Sequence, residues 1–158
     1  EPAVHVDAVG RPIDLGFVGQ VKQIETRVLE LLTPYAIPVV ASIGASATGQ
    51  SYNINADVVA GELAAALGAD RVIFLTDVAG IFDDSKPEEP WLRACDLNAI
   101  AGLQARGVIT GGMLPKAKAV RRALEGGVTC AHIIDGRVEH ALLREILTDE
   151  PIGTTITA

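Results

Sequence analysis

Aromatic residues make up only 4% of this 158-residue chain, and its two cysteines are Cys95 and Cys130. Little surface is therefore available for stacking bases, and the cysteines form no CxxC or CxxH spacing that would mark a zinc site. Reduced thiols in a cytosolic setting are the expectation. Basic charge is also short: 13 Lys and Arg against 20 Asp and Glu leave a net charge of −7. That balance argues against a nucleic-acid partner and an anionic membrane surface, and favours a cationic or metal-neutralised ligand. No apolar run approaches the roughly 20 residues of a spanning helix, and no charged start leads into the apolar stretch of a signal peptide. A cytoplasmic protein is expected. The first residue is Glu1 rather than Met, and a strand-like run begins almost at once, which suggests a piece of a longer protein.

What is present is apolar content of 49%, ample for the core of one domain spanning 1–158. Residues 3–21 alternate apolar and polar around Gly10-Arg11-Pro12 and read as a β-hairpin. Val28, Leu31 and Leu32 recur at helical spacing between Thr26 and Tyr35, and Ile37 to Ile43 reads as a buried strand. A helix from Ala56 to Leu67 closes at Gly68, and Arg71 to Thr76 has the continuous apolar run of a strand covered on both faces. A polar loop over 83–90 comes next, then helices at 96–106 and 115–125, a strand at 129–134, a helix at 139–147 and a strand at 153–157. Strands alternating with helices predict an α/β fold with a mainly parallel sheet, preceded by the hairpin segment 1–21.

Three motifs carry chemistry. In Ser51-Tyr52-Asn53-Ile54-Asn55-Ala56-Asp57 an extended backbone would set Asn53, Asn55 and Asp57 on one face, just where a helix begins. Helix-start N–H groups and amide donors suit an anionic ligand, although the same residues also suit an ordinary Asn or Asp cap. Thr76-Asp77-Val78-Ala79-Gly80-Ile81-Phe82 leaves the C-terminal end of a buried strand, where open α/β sheets bind ligands; an Asx-capped turn is the alternative. In Gly111-Gly112-Met113-Leu114-Pro115-Lys116, Pro115 places Lys116 in a first helical turn, where the helix dipole disfavours a cation by about 0.3–1 kcal/mol. A bound polyphosphate would reverse that sign, whereas without one Lys116 is a solvated lysine beside Lys118. Gly44 to Ser51 nearly spells a P-loop, but Gln50 stands where the lysine is required. His132 on its own reads as a satisfied core histidine, and no nucleophilic triad is visible.

Taken in order, Leu15-Gly16-Phe17-Val18-Gly19, Tyr52 to Asp57, Leu75 to Ile81, Gly112 to Lys116 and His132-Ile133-Ile134-Asp135-Gly136-Arg137 closely resemble the acetylglutamate kinases of the amino-acid kinase family. The match runs over essentially the whole chain and continues through His140, Glu145 and Gly153-Thr154. The resemblance implies a three-layer αβα sandwich and ATP-dependent phosphorylation of the side-chain carboxylate of N-acetyl-L-glutamate, a step of arginine biosynthesis. It implies that Asn53 binds the substrate α-carboxylate, that Lys116 stabilises the phosphoryl group in flight and that Asp57 orients the lysines around it. Asp77, Val78, Ala79, Gly80, Ile81 and Phe82, with Val108, Ile109 and Thr110, would line the nucleotide site. Mg²⁺ would bridge the phosphates, with no metal ligand from the protein itself. His132 and Glu145 would form an effector site for arginine, and the full-length protein would be a homo-oligomer.

Two departures from the family pattern stand out. The family's N-terminal glycine-rich loop, with a second catalytic lysine, has no counterpart here, so the chain resembles the C-terminal, nucleotide-binding part and is expected to be inactive alone. Where arginine-inhibited members carry a glycine, this chain has Pro151, which fixes φ and offers no N–H. Two further readings are acetylaminoadipate kinase of lysine biosynthesis and a non-catalytic nucleotide- or effector-binding module.

Overall fold

A computed structural model of the chain describes residues 1–6, 9–83, 85, 88, 90–149 and 152–158. Ten strands and five helices follow one another among them. β1 (His5–Val6) and β2 (Pro12–Ile13) form the expected hairpin, reduced to two residues a side, before the short helix α1 (Arg27–Leu32). β3 (Ile43–Ala45) and β4 (Ser51–Asn53) pair antiparallel and lead into α2 (Ala56–Leu67). β5 (Arg71–Thr76) is followed by the hairpin of β6 (Ile81–Phe82) and β7 (Trp91–Leu92), then β8 (Ala94–Asp96) and α3 (Leu97–Ala105). α4 (Met113–Glu125), β9 (Cys130–Asp135), α5 (Ala141–Leu147) and β10 (Gly153–Thr157) complete the order.

The central sheet runs β5-β9-β10-β8, with the outer two pairings parallel and β9–β10 antiparallel. Side chains in register share a face of a sheet, so Val72 and Phe74 of β5, Ala131 and Ile133 of β9 and Ile156 of β10 point to one side. There they meet Ala64 of α2, Ile100 and Leu103 of α3, and Ala117, Val120, Ala123 and Leu124 of α4 in a single core. α5 takes the opposite side, because its Glu145 bonds His132, which alternates with Ala131 and Ile133. Helices on both faces of a mixed, mainly parallel sheet make the αβα sandwich that the family resemblance implied, on the α/β alternation read from the sequence.

α2 and β10 match their predicted bounds, and α2 ends on Gly68 in the left-handed conformation (φ 58°). Gly61 lets α2 approach α4 closely, since a Cβ there would lie 2.6 Å from the carbonyl oxygen of Ala119. The P-loop-like segment is the β3–β4 turn, with the Ser46 N–H donating to the Gln50 carbonyl at 2.8 Å, and a strand rather than a helix follows it.

The predicted strand over 37–43 needs correction. Only Ile43 is extended and paired, while Ile37 and Val39 are 92% and 97% exposed. A buried strand requires a hydrogen-bonded neighbour and cover on its faces; among the described residues a neighbour is met only at the end, at Ser42 and Ile43, while Ile37, Val39 and Val40 stay exposed. Within the span read as a loop, the described residues are flanked by the unpredicted β6–β7 ladder, because two-residue strands carry no periodic signal.

Candidate functional site

Two helix starts meet at the centre of the site. Asn55 caps α2, its side-chain oxygen accepting from the Val58 N–H at 3.2 Å, so α2 starts at Ala56 and Asp57 lies in its first turn. Asn53, Asn55 and Asp57 therefore do not share one extended face: Asn53 ends β4, Asn55 is consumed as a cap and Asp57 is helical. α4 begins after Gly112 with no side-chain cap, and Pro115 occupies its third position, where the missing N–H breaks no helical bond. Across the Gly61–Ala119 approach, the Lys116 ammonium donates to both Asp57 oxygens, at 2.9 and 3.0 Å. Both side chains are largely buried, 17% and 20% exposed. The carboxylate offsets the unfavourable placement of a cation at a helix N-terminus and fixes the direction of the lysine.

Asn53 is exposed and held by its backbone: its N–H donates to the Phe17 carbonyl at 2.8 Å and its carbonyl accepts from Gly19 at 2.9 Å. The Leu15-Gly16-Phe17-Val18-Gly19 segment thus serves as the clamp that aims the end of β4. Phe17 adds an edge contact to Tyr52, with centroids 6.3 Å apart.

Beyond the carboxyl end of β5 lies a cavity of about 390 Å³. Val78, Gly80, Ile81 and Phe82 line it together with Val108, Ile109 and Thr110, so two segments that the resemblance assigned to one site share one cavity. Asp77 and Ala79 lie outside its lining, and Asp77 accepts from the Thr76 hydroxyl at 3.2 Å. Sequence reasoning missed Trp91, Arg106, Gly107 and Met113 in the wall. The lone Trp of the chain was the available signal for one of them, and it packs edge-on against Phe82 at 5.1 Å. Met113 and Lys116, three apart on α4, connect the cavity to the lysine–carboxylate pair.

Two polar networks hold the cavity. Thr154, fully buried on β10, accepts from the Ile81 N–H at 2.8 Å and donates to the Leu92 carbonyl at 2.5 Å, tying the β6–β7 hairpin to the sheet. Gly80 allows this closeness, because a Cβ there would meet the Thr154 hydroxyl at 2.6 Å and φ is +142°. Asp83, buried, accepts from the hydroxyl and N–H of Ser85 at 2.7 and 3.1 Å and from Arg106 at 2.8 Å. The Ser85 hydroxyl, followed by the Arg106 guanidinium, holds the Asp83 carboxyl at about 2.

At the end of β9, Arg137 wraps its own turn: its side chain donates to both Asp135 oxygens at 2.9 and 2.8 Å, and its N–H adds a bond at 2.9 Å. Those bonds, led by the side chain, lower the Asp135 carboxyl to about 2. On the α5 side, His132 is partnered, with Nδ1 2.5 Å from Glu145 Oε1. The other Glu145 oxygen accepts from the Ile152 N–H at 3.3 Å. Pro151 lies outside the described residues. Among the described residues no group of three or more His, Cys, Asp or Glu is arranged to hold a metal ion, and no helix is long and apolar enough to cross a membrane.

A mixed-sheet αβα sandwich with a cavity beyond the end of β5 and a lysine–carboxylate pair at two helix starts defines an α/β protein with a candidate ligand site. The chain belongs to the amino acid kinase family, whose profile matches residues 2–135. It is 50% identical over 143 residues to acetylglutamate kinase of Nostoc punctiforme, covering 90% of this chain and 48% of the relative. It is 48% identical over 157 residues to acetylglutamate kinase of Nitrosococcus oceani, covering 99% and 50%. The chain thus spans about half the length of the curated relatives it matches. Among solved structures, N-acetylglutamate synthase from Neisseria gonorrhoeae, complexed with coenzyme A and L-arginine, superposes with a TM-score of 0.85 at 23% identity, over 99% of this chain and 35% of that one. At that identity the likeness concerns the fold.

Proposed function

We propose that this chain is the nucleotide-binding part of a cytoplasmic, homo-oligomeric acetylglutamate kinase, which transfers the γ-phosphoryl group of ATP to the side-chain carboxylate of N-acetyl-L-glutamate. The observation that carries the reading is the Lys116–Asp57 pair, formed between two helix starts beside the cavity. Relatives about half identical in sequence bear the name of that activity.

In the reaction a carboxylate oxygen bonds to the γ-phosphorus as the bond from phosphorus to the β–γ bridging oxygen breaks, and ADP leaves. Little covalent chemistry falls to the protein, which positions the reactants and neutralises charge. Asp57 keeps the Lys116 ammonium aimed where charge builds on the transferred group, and the uncapped start of α4 adds its dipole. Asn53 offers its exposed amide to the substrate α-carboxylate. The nucleotide occupies the cavity, with its base against Phe82, Trp91 and Ile109 and its phosphates toward α4. Mg²⁺ bound with the nucleotide would supply neutralisation of the phosphate charge.

Arginine, as effector, would place its guanidinium on Glu145, displacing the His132 bond that now occupies that carboxylate. The same fold would serve N-acetyl-2-aminoadipate, so the substrate is tested directly. In the full-length enzyme, Lys116→Ala should lower kcat by about 10²–10³-fold and leave Mg-ATP affinity nearly unchanged. Asn53→Ala should chiefly raise the acetylglutamate KM. Acyl phosphate trapped as hydroxamate from acetylglutamate, and much less from acetylaminoadipate, is the expected outcome; the reverse preference, or a Lys116→Ala variant with full kcat, would overturn the reading. This chain alone should bind Mg-ATP, seen as a change in Trp91 emission, with negligible turnover.

A further inference from the structure

His132 bonds on both ring nitrogens, and the second bond reaches a thiol. Nδ1 lies 2.5 Å from Glu145 Oε1 and 3.3 Å from the Thr155 hydroxyl, while Nε2 lies 3.2 Å from Cys130 Sγ. The carboxylate is the strongest acceptor within reach of Nδ1, so the ring proton sits there and Nε2 presents its lone pair to the thiol, whose S–H donates to it. Both partners of the thiol relay are nearly sealed, with side chains 9% and 6% exposed, so the imidazole cannot swing away. Cys130 itself is half-buried and remains reachable.

The surroundings agree. β10 contributes only the Thr155 hydroxyl, α5 contributes Glu145, and β5 sets the exposed Arg71 opposite Cys130 in register, on the same face of the sheet. Cys95 is the built-in contrast: it lies across from Ile156, on the core face, where burial, reinforced by Asp96, pushes its thiol up to about 11.

We propose that Cys130, His132 and Glu145 form a thiol-activating relay, which makes Cys130 a site of covalent modification by small electrophiles and small-molecule disulfides. With an alkyl halide, the sulfur–carbon bond forms, halide leaves and the thiol proton passes to Nε2. With a disulfide, the sulfur forms a mixed disulfide and the departing thiolate carries away the electron pair. The relay requires only the side chains named above, with Glu145 bonded to His132 as in the arginine-free chain.

The test uses the full chain with iodoacetamide and, separately, 4,4′-dithiodipyridine, the modified peptides being quantified by mass spectrometry. At about pH 6.5, Cys130 should react about tenfold faster than free N-acetylcysteine in the same solution, and Cys95 far more slowly. His132→Asn keeps a donor for Glu145 but places nothing at the Nε2 position. It should slow Cys130 about tenfold and leave Cys95 unchanged. Cys130 no faster than N-acetylcysteine, or an unaltered Cys130 rate in folded His132→Asn, would overturn the proposal. If that variant does not fold, the wild-type ratio to N-acetylcysteine decides in the same two directions.

Discussion

The segment before β4 and the region from Ile54 onward draw on the same apolar residue types and have opposite fates. From Ile54 on, Val120, Ala123, Ala131, Ile134 and Ile156 are completely buried. Before it, no described apolar side chain is buried, and Val28, Leu31, Tyr35, Ile37 and Val39 all stand exposed. The difference teaches that hydrophobic sequence is necessary for a core but not sufficient: burial needs a second surface at packing distance. α2, α3, α4 and the sheet provide one for each other, whereas α1 and the extended segment after it have none within this chain. Some of the exposed residues, Val28 and Val40 among them, wall an open cavity of about 700 Å³ with Ile54, Val59 and Leu63.

The comparison predicts its own largest effect. Ile156→Ala removes side-chain atoms from the middle of the sheet and should cost about 2–5 kcal/mol in urea unfolding. Equal costs for Ile156→Ala and Val39→Ala would break the distinction between the two regions. Gly61→Ala forces a Cβ against the Ala119 carbonyl and should cost about 1–3 kcal/mol, because a backbone contact cannot rotate aside. It should also separate Asp57 from Lys116, and crystallographic distances for the pair would show it.

Thr154→Val leaves the Ile81 N–H and the Leu92 carbonyl without their shared partner. The expected loss is about 1–2 kcal/mol, with weaker Mg-ATP-induced change of Trp91 emission. Acid should act on the ordered region through Asp83 and Asp135, whose carboxyls fall from the ordinary 3.8 to about 2 on folding. A depressed folded-state value stabilises the fold above the unfolded value, so this contribution is complete above about pH 5 and is lost between about pH 4 and 2. Unfolding midpoints across that window should fall less in Asp83→Asn than in the parent, whose higher starting stability titrates away. Val39→Ala is the smallest effect, within about 0.5 kcal/mol, since the residue is 97% exposed.

Much of the fold was legible where local signals agreed. Ala56 to Leu67 combines a cap residue, good helix formers and a closing glycine, and the helix has those bounds. Arg71 to Thr76 is a continuous apolar run and forms a sheet strand. The run Ile37 to Ile43 has an equally strong strand signal and fails, because strand formation depends on a neighbour that propensity cannot register. In the candidate site, Lys116, Asp57, Val78 and Gly80 to Phe82 were visible as motifs, whereas 108–110 entered only through the family resemblance. Trp91 and Arg106 were not, since their roles depend on contacts made across the β6–β7 hairpin and on reaching Asp83 from 23 residues away.

By itself the sequence determined the alternation of elements, the positions of the helix starts and the chemistry each offers, because caps, glycines and apolar periodicity act over a few residues. Only the tertiary structure decided that Lys116 meets Asp57, that Thr154 anchors the cavity wall and that His132 joins Cys130 to Glu145. Those contacts join residues distant in the chain or held in place by sheet register, and local preference carries no information about which distant surface will arrive.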